Sequence, residues 1–210
     1  MKRELPRIPE TIPVGKFAAI YEDEDYHLGN VFLQNETISE AIIYKPSFSG
    51  CKFKSVIFDE VDFEGVEFLD CVFENCDLSN AHFFKAGIYR CEFKNCKLLG
   101  IKLEESYLKN ILFSSCILNF ASFGMGQFTN VRFEECTMKS ATFIECKNKN
   151  LEIFHCDIDE MMLWGTNLKG LDLSTSTFKK LDVTQELLKG VKVNEEQALY
   201  FSLLLGLVIK

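Results

Sequence analysis

The residues of this chain whose types could do chemistry are nine cysteines, three histidines and a dense carboxylate segment. The cysteines are Cys51, Cys71, Cys76, Cys91, Cys96, Cys116, Cys136, Cys146 and Cys156, and every interval between them is a multiple of five. Structural zinc sites draw their cysteines in close C-x-x-C pairs, which are missing here. Cysteines twenty apart on stacked strands would hold their β-carbons too far apart for an easy disulfide. A buried free cysteine behaves as a small hydrophobe, so the thiols read as core filler. His27, His82 and His155 could serve as bases, but the spacing puts no serine or cysteine beside them as a nucleophile. The carboxylates Asp59, Glu60, Asp62, Glu64, Glu67 and Asp70 read either as a solvated face or as a stripe that imitates phosphates. No catalytic set, metal set or cofactor motif emerges, so the expectation is a protein that is not an enzyme and uses no cofactor.

The chain's charge bears on its partners. Its 31 acids and 23 bases give a net charge of −8, which disfavours direct nucleic-acid binding and suits competition for a site built for an anion. The excess is N-terminal: residues 1–70 hold 14 acids against 7 bases, and residues 71–140 hold 7 against 8. No apolar run is long enough for a bilayer, and MKRELPRIPETIPVG lacks the apolar segment of a signal peptide. With an odd number of cysteines, this implies a cytoplasmic protein without a membrane partner.

The elements that must position these residues are set by a five-residue period. From Phe48 to Phe143 a large apolar residue, mostly Phe or Leu, recurs every fifth position without insertion or deletion. The register continues through Ile153, Ile158, Leu163, Leu168, Leu173, Phe178, Val183 and Leu188 to Val193, with Asn148 the one polar centre. Two residues before each centre stands a small or aliphatic residue, and all nine cysteines occupy that position. Neither a helical period of 3.6 nor a strand period of 2 produces this pattern. Each unit offers one large and one small inward side chain, which fits a narrow-bored helix of short strands.

Outside the repeat, Pro6, Pro9 and Pro13 rule out a long helix in residues 1–27, which read as an extended arm. Residues 28–46 read as an imperfect first coil or cap, because Tyr26 and Glu36 do not suit a tight interior. From Asn194 the pattern changes. Asn194 with Gln197 three residues on predicts a capped helix over 195–205, stopped at Gly206. That helix and its tail are apolar almost all round. Leu199, Phe201, Leu203, Leu204, Leu205, Leu207, Val208 and Ile209 are therefore candidates for a homodimer interface.

Two outward patches remain. Phe84, Ile144, Met162 and Trp164 fall on one face and are candidates for a partner contact or for packing under the arm or the C-terminal helix. Arg90, Lys109, Lys147, Lys149 and Lys169 form a basic strip on the adjoining face. Asn148, in the apolar column, must find a partner such as a corner carbonyl or Thr166.

The repeat resembles the pentapeptide-repeat family, whose motif is written A-(D/N)-L-x-x; CDLSN around Leu78, TNLKG around Leu168 and LDLST around Leu173 carry the match. The resemblance implies an all-β fold, a right-handed quadrilateral β-helix of four units and twenty residues per coil, spanning 28–193. About eight coils stacked on strand spacing make a rod of roughly 40 Å. The segments LKGLDLSTSTFKKLDV and LKGVKVNEEQALYFSLLLGLVIK are similar to the end of the Qnr-type quinolone-resistance members, and SYLKNILFSSC and CILNFASF to their loop-free Gram-positive relatives. This implies a DNA-mimicking homodimer, joined through residues 194–210, that binds DNA gyrase and topoisomerase IV and lowers fluoroquinolone sensitivity. Many Qnr proteins carry two loops that interrupt the repeat, and the unbroken register leaves no room for either. The alternative is a scaffold solenoid that docks an unrelated protein on the Trp164 face.

Overall fold

A computed structural model describes residues 3–208. The chain is a parallel β-solenoid in which each residue pairs with the one twenty positions on, from His27↔Ser47 through Asp172↔Lys192, without a slip. Four inward columns define four faces. The lysine face runs through Leu28, Phe48, Phe68, Ile88, Leu108 and Phe128, and the phenylalanine face through Leu33, Phe53, Phe73, Phe93, Phe113 and Phe133. The cysteine face runs through Ile38, Phe58, Leu78 and Leu98, and the tryptophan face through Ile43, Phe63, Phe83 and Leu103. In the later coils the first two faces merge into the longer strands Tyr107–Ser114, Gln127–Glu134 and Lys147–Phe154.

The core is built by stacking identical positions. Phe53, Phe73, Phe93, Phe113 and Phe133 stack ring on ring at 4.4, 4.5, 4.8 and 4.8 Å, each almost fully buried. Parallel strands lie about 4.8 Å apart, so in-register rings meet face to face at van der Waals distance. The small inward position carries a second regularity. Cys51, Cys71 and Cys146 donate their S–H to the carbonyls of Leu28, Phe48 and Phe123 at 3.2, 3.5 and 3.1 Å. Ser106 and Ser176 make the same bond at 3.1 and 3.3 Å. A thiol or a hydroxyl there satisfies a buried carbonyl without adding bulk, which accounts for the cysteine column without metal or redox chemistry.

The corners explain the polar positions. At every fifth residue from Asn30 to Gly170 the backbone is left-handed, with φ between 50° and 83°. Gly65, for example, stands third in a turn closed by Val66 N–H donating to Phe63 O at 3.1 Å. A side chain there costs about 1–2 kcal/mol for an ordinary residue and least for Gly and Asn. Asn occupies eight of these corners, and no Val, Ile or Thr occupies any.

The two ends differ from the sequence expectation. The first coil is fully formed: His27–Gly29, Phe32–Gln34 and Thr37–Ser39 pair onto the second coil in regular register. The cap is the 3-10 helix Phe17–Glu22, whose Phe17 stacks at 6.4 Å on Phe48 and 6.0 Å on Phe63, and whose Ile20 is fully buried. Glu36 looked wrong for an interior because it is at the open end, where its carboxylate accepts the Phe17 N–H at 3.2 Å. The arm does not project. Phe32 N–H donates to Pro13 O at 2.8 Å, the Arg7 N–H to Asp70 at 2.9 Å and Arg3 to Glu92 at 2.6 Å, so it runs along the outside of successive coils. Asn148 is half-buried, and its side chain donates to Asn167 O at 2.8 Å.

At the other end the α-helix Glu195–Leu204 has the expected capping box between Asn194 and Gln197. Gln197 is buried and donates to Leu173 O and Ser176 O at 2.9 and 2.8 Å, closing the last coil.

Candidate interaction surfaces

The six acids form no stripe along the rod. Asp59 is on the cysteine face, Glu60 at the next corner, Asp62 and Glu64 on the tryptophan face, Glu67 on the lysine face and Asp70 at the corner beyond. They belt one coil because adjacent five-residue units turn a corner each time. Asp59, Glu60 and Glu67 are exposed, and Asp62 and Glu64 half-buried. Among the described residues none of these five makes an ion pair, whereas Asp70 does. Asp70 is 8% exposed and holds Arg90 with two bonds of 2.7 Å. Burial alone would raise its carboxyl, but the Arg90 guanidinium and the Arg7 N–H outweigh that and hold it below its ordinary value. Asp70 is therefore corrected from a partner contact to an internal one.

Sequence reasoning missed this latch. Burial likewise opposes ionisation of Glu92, and Lys94 and Arg3 overcome it, leaving the carboxyl lowered. Arg3 and Glu92 are 89 residues apart, and no period links a non-repeating arm to a coil.

On the tryptophan face, Ile144, Met162 and Trp164 come together on adjacent coils, Trp164 being 55% exposed with its indole N–H donating to Asp182 at 2.7 Å. Phe84 does not join them. It sits four coils from Trp164 along the same row, about 19 Å away, under the Lys85 ammonium. Among the described residues, neither the arm nor the C-terminal helix makes a polar or ring contact with these four. Near Phe84 a concavity of ≈ 450 Å³ is lined by Asp62, Glu64, His82, Lys102 and Glu104 as well.

At the C-terminus, Leu199, Leu203, Leu205, Leu207 and Val208 are exposed. Phe201 is not: it is 7% exposed and packs at 5.9 Å on Phe178 and 5.3 Å on Tyr200, so its expected place in a dimer interface is corrected to a place in the cap. Leu204 is half-buried against the same core. Ile209 lies outside the described residues.

The histidine prediction also changes. Stacking brings His27 Nδ1 to 2.8 Å from Ser47 Oγ and Nε2 to 3.3 Å from Ser49 Oγ. Both ring nitrogens are taken by hydroxyls, and no carboxylate is bonded to the ring to orient it as a base. The ring fills the space over Gly29, where a β-carbon would come within 2.8 Å of Nε2. Burial pushes the Cys71 thiol well up and the Cys146 thiol to about 11, so both stay neutral. Among the described residues no three His, Cys, Asp or Glu side chains gather as metal ligands, and no helix is long and apolar enough to cross a membrane.

This register of five-residue units is matched by two family models, a pentapeptide repeat region over residues 66–143 and pentapeptide repeats in nine copies over residues 38–82, which together span half of the chain. The chain belongs to the pentapeptide-repeat family. Solved pentapeptide-repeat structures similar to it include HetL, involved in heterocyst differentiation regulation in the cyanobacterium Nostoc sp. strain PCC 7120, at 16% identity and TM-score 0.44, covering 80% of this chain and 85% of that one. A trypsin-treated form of QnrB1, a plasmid-mediated fluoroquinolone resistance protein, is similar at 20% identity and TM-score 0.40, covering 88% and 99%. At such scores these likenesses carry no argument about what this pentapeptide-repeat protein binds. No curated protein matches the sequence.

Proposed function

We propose that this pentapeptide-repeat protein is a non-catalytic rod that binds the type II topoisomerases DNA gyrase and topoisomerase IV in place of DNA and so lowers fluoroquinolone sensitivity. The observation that carries the reading is the belt of carboxylates, Asp59, Glu60, Asp62, Glu64 and Glu67, which make no ion pair among the described residues, on a loop-free β-solenoid. A site that accepts DNA carries a positive potential that attracts clustered carboxylates, and fixed charges cost it no reorganisation. The Qnr-like C-terminal sequence supports the same reading. The exposed Leu199, Leu203, Leu205, Leu207 and Val208 support joining of two rods at that end, since an apolar patch of this kind is stabilised by a second copy. Supercoiling by purified gyrase and decatenation by topoisomerase IV, each with and without ciprofloxacin, test it. Inhibition or altered drug response at micromolar protein is expected, and no effect on either enzyme overturns it.

A second reading, a cytoplasmic scaffold that docks another protein, is favoured by the exposed Trp164 beside Ile144 and Met162. Trp164→Ala separates the two, because topoisomerase inhibition would survive it.

A further inference from the structure

We propose that the lysine face between Tyr89 and Lys169 is a binding surface for single-stranded nucleic acid. Its outward side chains are Gly87, Tyr89, Tyr107, Lys109, Gln127, Thr129, Lys147, Lys149, Asn167 and Lys169 in coil order, without a carboxylate. Carboxylates stand at its borders: Glu67 one coil before Gly87, Glu105 and Glu145 along one corner and Glu152 beyond the other. Among the described residues Lys109, Lys147, Lys149 and Lys169 make no ion pair, whereas Lys94, Lys97, Lys139 and Lys192 each pair with a carboxylate. An ammonium without an internal partner is free to meet an external anion.

The spacing suits a phosphate backbone. Lys109 to Lys169 spans three coil steps, about 14 Å, and Lys147 and Lys149 stand about 6.6 Å apart on one strand. A single strand laid along the coils would meet an ammonium at successive phosphates, as in grooves that track a nucleic-acid backbone.

The upstream end supplies the other half of the chemistry. Gly87 has no side chain, and the Tyr89 ring lies over it: a β-carbon there would meet Tyr89 Cε2 at 3.0 Å. Tyr107 lies beside it, ring centroids 5.5 Å apart at 38°. Two half-buried rings lying along a sheet, next to lysines, form the kind of platform on which unstacked bases rest. Downstream, Asn150 and Asn130 donate side chain to side chain along the corner, and the row ends at Gly170, where a β-carbon would touch nothing within 4 Å. Gly170 lines a groove of ≈ 750 Å³ together with Lys109, Thr129, Asn130, Lys149, Asn150 and Glu152.

The net charge of −8 does not oppose this, because the molecule sorts its charge by region. Lys109 is two coils, about 10 Å, and Lys149 four coils, about 19 Å, from Glu67, both beyond the screening length of about 8 Å at physiological salt. The surface adjoins the carboxylate belt only at Glu67, one coil before Gly87, and the proposal does not rest on topoisomerase binding.

Fluorescence anisotropy with a labelled oligothymidylate of about twenty nucleotides and the full chain tests it. Micromolar binding is expected at about 50 mM salt, with log affinity falling against log salt at a slope of about −3 for four lysines. Lys149→Gln with Lys169→Gln should halve that slope, and Tyr107→Ala should weaken binding by roughly 5- to 100-fold with the slope unchanged. Urea unfolding of each variant confirms the fold. Absence of binding overturns the proposal, as does a slope that the double variant leaves unchanged. Equal binding of duplex removes the stacking platform, and equal competition by polyglutamate shows a surface for acidic protein; either result overturns it.

Discussion

The two ends of the rod solve the same problem in opposite ways. A stack of parallel coils ends in an exposed apolar layer and unpaired backbone groups, and both must be covered. The N-terminal end closes on itself. Phe17 and Ile20 fill the layer, Glu36 receives the Phe17 N–H, and the arm returns along the coils to Asp70 and Glu92. The C-terminal end closes its last coil with Gln197 and Phe201 but presents a second apolar surface outward, Leu199, Leu203, Leu205, Leu207 and Val208. A self-satisfied end leaves its surface to charge; an end with apolar surplus is the one proposed to associate.

The comparison can be broken by substitution. The largest effect is expected at Phe17→Ala, which opens the N-terminal layer and should cost about 3–5 kcal/mol in urea unfolding. A loss below about 1 kcal/mol would mean the 3-10 helix is not the cap. Arg90→Ala leaves the buried Asp70 carboxylate with only the Arg7 N–H and should cost about 2 kcal/mol, with faster hydrogen exchange in the arm. Asn194→Ala removes half of the capping box and should cost about 1 kcal/mol, loosening only the C-terminal helix. Leu203→Asp should leave protomer unfolding within about 0.5 kcal/mol of the parent, since its side chain is exposed. It should nevertheless leave a monomer in sedimentation where the parent chain forms the proposed dimer, and an intact dimer would refute the interface.

Acid sharpens the same contrast. Asp70 and Glu92 have lowered folded pKa values, so their contribution is complete above the unfolded values near 4 and is lost as the pH falls through the folded ones. Below about pH 4 the amides of residues 3–15 should exchange faster, while those of the Phe53–Phe133 column stay protected. Simultaneous loss in both regions would show that the arm is no separate latch.

Most of the fold was legible in the sequence. A five-residue period without insertions assigns each residue to a column, a face and a coil, and the stacked phenylalanines and hydrogen-bonded cysteines follow from that assignment. Asn194 and Gln197 announced the helix because capping is a local interaction. The candidate surfaces were less legible. The acids look contiguous in sequence, yet a unit turns a corner every five residues, so neighbours in the chain leave on different faces. Phe201 looked like its exposed neighbours Leu199 and Leu203 because composition does not say which way a short helix rolls onto its cap.

The sequence by itself determined the register, the core and the helix, since each depends on spacing within or between identical units. Only the tertiary structure decided where the arm lies, which carboxylates are consumed by Arg3, Arg7 and Arg90, and which lysines remain unpaired. Those outcomes depend on contacts between a non-repeating segment and coils 63 to 89 residues away, and on the partners that stacking places beside each charge, neither of which a period encodes.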